Sequence, residues 1–164
     1  MTLMPRMNLG SLVSYCKPEH LAYYNQVLST VHSVRDTYPG YPQWFNNKFM
    51  YGLKNTTERA YCFAVDGAKL VGVSLLKNTE PEKKICCLFV SPDYRHIGIA
   101  SKLMQASFAL LHTQKPLMTV SNNNLSQIKP LINRFGFELS RKQPGAYRPD
   151  LVEYFYNEHY LNSK

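Results

Sequence analysis

Acidic residues are scarce in this chain of 164: 11 Asp and Glu stand against 19 Lys and Arg, a formal net charge of +8. Cysteine is scarce too. Cys16, Cys62, Cys86 and Cys87 fall in no CxxC spacing, and the five histidines show no paired metal-ligand spacing, so neither a disulfide scaffold nor a metalloenzyme is expected. Reduced, structural thiols are expected instead, with adjacent Cys86 and Cys87 on opposite faces of a strand. No run approaches the roughly 18 to 20 apolar residues of a membrane span, and MTLMPRMNLG lacks the apolar stretch of a signal peptide. A soluble, cytoplasmic protein with no membrane partner is the expectation. Low-complexity tracts are absent, as are the phosphate-binding GxxxxGK[ST] and the dinucleotide fingerprint GxGxxG. With 45 % hydrophobic and 13 % aromatic residues the composition is that of one globular domain, 1–164, after a flexible start at 1–8.

The apolar patterning gives the elements. A short strand is expected at 12–15. From Pro18, apolar Leu21, Tyr24, Leu28 and Val31 follow the three-and-four rhythm of an amphipathic helix, which Tyr38-Pro39-Gly40-Tyr41-Pro42 ends. A second helix carries Trp44, Phe45, Phe49 and Leu53, an aromatic face that either covers a core or lines a substrate cleft. Strand-like runs at 60–65, 69–76 and 84–90 follow, the first two joined at Asp66-Gly67, a strong hairpin signal. An apolar helix over 98–112 belongs packed on a sheet. A strand at 116–120, a helix at 125–135 closed by Gly136, an extended segment at 137–140 and a strand at 152–156 complete the chain. The predicted class is α/β, a layered single domain on a mixed sheet.

The chemistry is concentrated at 85–100. A strand ending in Val90 runs through Ser-Pro-Asp-Tyr and Arg95-His-Ile-Gly98-Ile-Ala100 directly into the apolar helix. The first N–H groups of a helix have no partner within it, and the helix dipole adds positive potential there, so this turn forms an anion cradle. Gly98 allows close approach to the backbone, Ala100 keeps bulk away, and Arg95 adds a charge-assisted bond.

Val90-Ser-Pro92-Asp-Tyr-Arg95-His-Ile-Gly98-Ile-Ala100 resembles the acyl-CoA motif of the GCN5-related N-acetyltransferase (GNAT) superfamily, V-x-P-x-x-[RQ]-x-x-G-x-[GA], at every defined position. Residues 124–137 are similar to its second motif, a helix closed by a Gly-Phe pair. The resemblance implies a mostly antiparallel sheet of six to seven strands, splayed at the cofactor site and flanked by about four helices. It implies acetyl-CoA as co-substrate, with no metal. Backbone groups of Leu88, Phe89 and Val90 would hold the pantetheine arm. Arg95, His96, Ile97, Gly98, Ile99 and Ala100 would hold the pyrophosphate, and Asn124 would meet the arm near its reacting end. A primary amine would then attack the acetyl carbon directly, through a tetrahedral intermediate and without an acyl-enzyme.

The family's usual acid and base are missing. Residues 85–90 contain no carboxylate, and the position of the proposed thiolate acid, four before Gly136, is Ile132. The candidates are Tyr147 and Tyr154, in a segment that the resemblance brings near the cleft, and Ser121, just after a strand. Glu80 and Glu82 read as solvated turn charges, Cys86 and Cys87 as packing residues, and His96 as an anion contact or an exposed side chain. For the acceptor, a small-molecule or protein amine is expected. The basic surplus raises aminoacyl-tRNA as an alternative, although Lys48, Lys54, Arg59, Lys83, Lys84, Arg134, Arg141, Lys142 and Arg148 are widely spread. A non-catalytic acyl-CoA sensor of the same fold is the other alternative, and a homodimer is left open.

Overall fold

The computed structural model describes residues 12–14, 24–31, 38, 40–67 and 69–162. The expected flexible start, the parts of the first strand and first helix at 15, 18–23 and 32–37, and Cys16 lie outside the described residues. Seven strands, β1 (Leu12–Ser14), β2 (Arg59–Asp66), β3 (Lys69–Asn78), β4 (Lys83–Val90), β5 (Leu117–Ser121), β6 (Leu139–Pro144) and β7 (Val152–Tyr156), form one sheet in the order β1-β2-β3-β4-β5-β7-β6. All neighbours are antiparallel except β4 and β5. The helices are α1 (Tyr24–Val31), α2 (Tyr41–Trp44), α3 (Tyr51–Asn55), α4 (Ile99–Leu111) and α5 (Leu125–Arg134), with a π-helical stretch at Phe45–Met50 joining α2 to α3.

Central strands β2 and β3 are buried along almost their whole length because both faces are covered. One cover is the run from Tyr41 to Asn55. Phe45 and Phe49 are 1 % exposed and their rings stack 5.6 Å apart, so the aromatic face lies in the core and does not line a cleft. The other cover is α4, whose Leu103, Met104, Phe108 and Leu111 are buried, each worth about 1.5–3 kcal/mol. A polar contact also fixes α4 on the sheet: Ser74 and Ser107 hydroxyls lie 2.8 Å apart, and Ser107 also donates to Leu103 O.

Gly72 sets how closely α4 approaches. A Cβ there would stand 3.0 Å from Leu103 Cδ1 and 3.2 Å from Ile99 Cγ2, so only glycine lets the first turn of α4 press onto β3. At the other end of the domain Gly136 is left-handed (φ 68) after α5, and Phe137 N–H returns to Ile132 O at 3.0 Å, the expected glycine C-cap. The strand after it begins later and runs further than the expected 137–140. Polar Arg141, Lys142 and Gln143 hide it from a hydrophobicity reading, since β6 is an exposed edge strand.

Candidate functional site

The site begins where β4 and β5 part. Parallel pairing is limited to Lys84 with Leu117 and Ile85 with Met118, after which the strands diverge. A bulge helps to turn β4 at this point: Leu76 pairs with Ile85 and Leu75 with Cys87, leaving Cys86 without an opposite residue. This bulge breaks the expected alternation of the two cysteines. Cys86 accepts a long contact from Arg59 (3.8 Å), Cys87 belongs to the core beside Tyr41, and both thiols act electrostatically on Tyr41. Burial pushes the Cys87 thiol up to about 12, which makes it a poor nucleophile at neutral pH.

Beyond the bulge, backbone orientation follows from register. Ser91 N–H bonds Val71 O at 2.8 Å, so the same ladder turns the backbone groups of Phe89 toward Val73 on β3. Those of Leu88 and Val90 then face the gap. Of the three residues expected to hold a cofactor arm, Phe89 is therefore already engaged with β3, and its ring lies beneath the Arg95 guanidinium. On the opposite wall, Asn122 N–H bonds Val152 O, which turns Val120 toward β7 and leaves Thr119 and Ser121 facing the gap.

The gap leads to the start of α4. Gly98 is left-handed (φ 95) at the N-cap, no side chain caps this helix, and the first internal bond is Lys102 N–H to Gly98 O. The N–H groups of Ile99, Ala100 and Ser101 are thus left for a ligand. A Cβ on Gly98 would meet nothing within 4 Å, so what requires glycine here is the backbone conformation and the space in front of it. His96, also left-handed (φ 64), and Ile97 are exposed on the same turn. Arg95 donates its Nε–H to Val90 O at 2.9 Å, which sets its guanidinium between gap and helix. Arg134, unselected in the sequence as a site residue, reaches from α5 to Ser101 Oγ at 3.0 Å and brings a second guanidinium to the first turn of α4. This turn has the donors and the charge for a pyrophosphate.

The remaining candidates divide by face. Tyr154 packs with Met118, Val120, Ile132 and Tyr156 on the α4–α5 side, and the Lys142 ammonium lies 5.0 Å from its ring centre. Ser121 lies on the other side, buried, its hydroxyl bonded to the Asn123 side chain. Asn124 receives the N-cap position of α5, its N–H on Ser121 O and its side chain uncommitted to the cap. Tyr147, 49 % exposed, meets Tyr38 edge to face with ring centres 5.5 Å apart.

Glu153 is the site residue that the sequence reading misses. It pairs with Ser121 across β5 and β7, is 3 % exposed, and accepts the Tyr38 hydroxyl at 2.8 Å. Burial raises its carboxyl above the ordinary value, against the lowering effects of Tyr38, the Thr119 hydroxyl and the Lys84 charge. Tyr38 in turn is held firmly protonated by burial and by Glu153. A lone acid in Val-Glu-Tyr-Phe-Tyr was the available signal, since an ionisable group on a strand otherwise apolar and aromatic has to be accounted for. Among the described residues no group of three or more His, Cys, Asp or Glu could hold a metal ion, and no helix is long and apolar enough to cross a membrane.

Solved structures share this architecture. A Bacillus anthracis protein named as a streptothricin acetyltransferase, in complex with acetyl coenzyme A, is 18 % identical over 62 % of this chain and 63 % of its own, under two thirds of its length, with a TM-score of 0.55. PaiA N-acetyltransferase from Thermoplasma acidophilum, in complex with coenzyme A, is 15 % identical over 87 % and 98 % (TM-score 0.61). An aminoglycoside 6'-N-acetyltransferase complexed with coenzyme A is 12 % identical over 88 % and 94 % (TM-score 0.64). No curated protein matches by sequence. The model of the acetyltransferase (GNAT) domain matches residues 39–146, which span the parted strands, the α4 cradle and α5, and the chain belongs to the GNAT acetyltransferase family.

Proposed function

We propose that this chain is an acetyl-CoA-dependent N-acetyltransferase that acetylates a primary amine on a small molecule or protein. One observation carries the reading: backbone of Leu88 and Val90 on β4 and of Thr119 on β5, turned into the gap where the strands part, leads straight to the uncapped N-terminus of α4. When bound, acetyl-CoA supplies an acetyl group activated as a thioester. Leu88 and Val90 would pair with its amide-bearing arm as with an added strand, and Arg95, Gly98, Ile99 and Ala100 would hold the pyrophosphate, with His96 and Ile97 bordering it. Asn124 stands at the far wall of the gap. The protein's part is to fix two reactants and exclude water, an advantage worth about 7–11 kcal/mol in well-oriented systems.

The position of the usual thiolate acid is Ile132, buried in the core, so that proton comes from elsewhere. Tyr154 is the hydroxyl nearest to that role on the α5 side, and it shares a core cluster with Ile132. Direct attack on the thioester is favoured over an acyl-enzyme, because burial raises the thiols of Cys62, Cys86 and Cys87, the cysteines among the described residues, and so weakens them as nucleophiles. Acetyl-CoA chemistry and reduced thiols fit a cytoplasmic location.

No observation favours aminoacyl-tRNA as acceptor. Lys77, Lys115, Arg141 and Arg148 are engaged in ion pairs with Glu82, Glu138, Glu158 and Asp150. The test is thiol release from acetyl-CoA across 1,4-diaminobutane, kanamycin, a lysine-containing peptide and aminoacyl-tRNA. Amine-dependent CoA production supports an enzyme, whereas acetyl-CoA binding with no production from any acceptor makes it a sensor.

A further inference from the structure

Deprotonation of the acceptor is a chemical task for which neither the motif nor β4 supplies a group. Glu153 lies on the wall opposite β4, on the same face of the sheet as Ser121 and Thr119. The Tyr38 hydroxyl donates to Glu153 Oε1 at 2.8 Å with the Ser121 hydroxyl also beside it, and because Ser121 donates to the Asn123 side chain, a lone pair of the phenol oxygen remains to accept from a further donor. Tyr147 stands against the Tyr38 ring at the exposed side of this cluster. The charged or titratable groups acting on Glu153 are Tyr38 before α2 and Lys84 on β4, while Tyr147, between β6 and β7, acts on Tyr38. A buried carboxylate behind two aromatic rings, beside a gap that admits a thioester, suits an ammonium group on an aliphatic carbon.

Resting on the acetyltransferase reading above, we infer that Tyr38 and Glu153 form a relay that takes the proton from the acceptor's ammonium group. The ammonium donates an N–H proton to Tyr38 Oη while the Tyr38 proton passes to Glu153 Oε1, leaving a neutral amine and a neutral carboxylic acid. The amine nitrogen bonds the acetyl carbon, the C–S bond breaks, the thiolate takes the Tyr154 hydroxyl proton, and the second N–H proton restores that hydroxyl. Glu153 then returns its proton to solvent through Tyr38. The balance is one ammonium and one thioester giving an amide, a thiol and one released proton. Tyr38 is the residue that touches substrate, and Glu153 acts through it.

The experiment compares wild type, Glu153→Gln and Tyr38→Phe by acetyl-CoA calorimetry and by the pH profile of kcat/KM with the best acceptor among 1,4-diaminobutane, kanamycin and a lysine-containing peptide. Glutamine keeps an acceptor for the Tyr38 hydroxyl, so a purely structural Glu153 would leave rate and profile alone. The relay predicts a fall of about 10²-fold or more in kcat/KM for both variants, loss of the acidic limb in Glu153→Gln, and unchanged acetyl-CoA affinity, which also reports folding. Wild-type turnover with an unaltered limb in Glu153→Gln overturns the relay and leaves the acetyltransferase reading standing. Acetyl-CoA binding without turnover of any probe overturns both the relay and the catalytic reading, and wild type that fails to bind acetyl-CoA overturns the reading from its root. If Glu153→Gln fails to fold, Tyr38→Phe decides: undiminished turnover rejects the relay.

Discussion

The two walls of the β4–β5 gap are built in opposite ways. The β4 wall is contiguous in sequence: strand, turn, Gly98 and helix follow within residues 83–111, and their ligand groups are backbone donors. The β5–β7 wall is assembled from a distance, since Tyr38 and Glu153 are 115 positions apart and meet Ser121 only through sheet register. Backbone donors at a helix start demand small residues and a particular conformation, so they leave a pattern. A side-chain cluster demands only that three chemically ordinary residues arrive at one place. The β4 wall accordingly leaves a motif in the sequence, and the β5–β7 wall leaves none.

Breaking the β4 wall gives the largest expected effect. Gly98→Val places a Cβ in the space before the helix N-terminus at a φ that valine resists, and acetyl-CoA affinity should fall about 10²-fold or more while the circular dichroism spectrum stays the same. Gly72→Val attacks the same wall from behind: its side chain collides with Leu103 and Ile99, costing about 1–3 kcal/mol in urea unfolding and loosening the cradle. Arg95→Ala and Arg134→Ala each remove one cation and should weaken acetyl-CoA about tenfold, with a shallower dependence of affinity on salt.

The opposite wall should respond in stability as well as in rate. Because burial raises the Glu153 carboxyl, the folded chain keeps that proton to higher pH than the unfolded chain does. Ionised Glu153 therefore costs stability above the ordinary carboxylate range and nothing below it. Glu153→Gln should melt higher than wild type at neutral pH, with the difference shrinking as pH falls toward about 4.3, the ordinary glutamate value, and gone below it. A variant that gains stability while losing turnover would mark this wall as selected for chemistry. The smallest effect is expected at Cys87→Ala, whose buried thiol takes no part in transfer, so kcat should be unaltered once the loss of packing is allowed for.

Most of the fold was legible because its elements are local and strongly patterned. The β2–β3 hairpin at Gly67, the Gly136 cap and the β7 strand over 152–156 fall where their residues place them. The bulge at Cys86 was not legible, since it depends on which residue of β3 faces it, and with it went the predicted opposition of the two cysteines. The second helix was legible as a helix but not its π-helical centre, which keeps Phe45 and Phe49 together in the core. At the site, the resemblance singled out Tyr147 and Tyr154 by their segment, without saying which face of the sheet each occupies. Register then separates Tyr154, on the α4–α5 face, from Ser121 and Glu153 on the other.

The central claim is that a ligand's arm completes the sheet along β4, and residue-resolved amide hydrogen exchange on adding acetyl-CoA tests it most directly. Leu88 and Val90 and the first amides of α4, Ile99 to Ser101, should gain protection together, while Phe89, already turned to Val73, should change little. Unchanged exchange at Leu88 and Val90 under saturating acetyl-CoA, or protection at Phe89 in their place, would contradict the account.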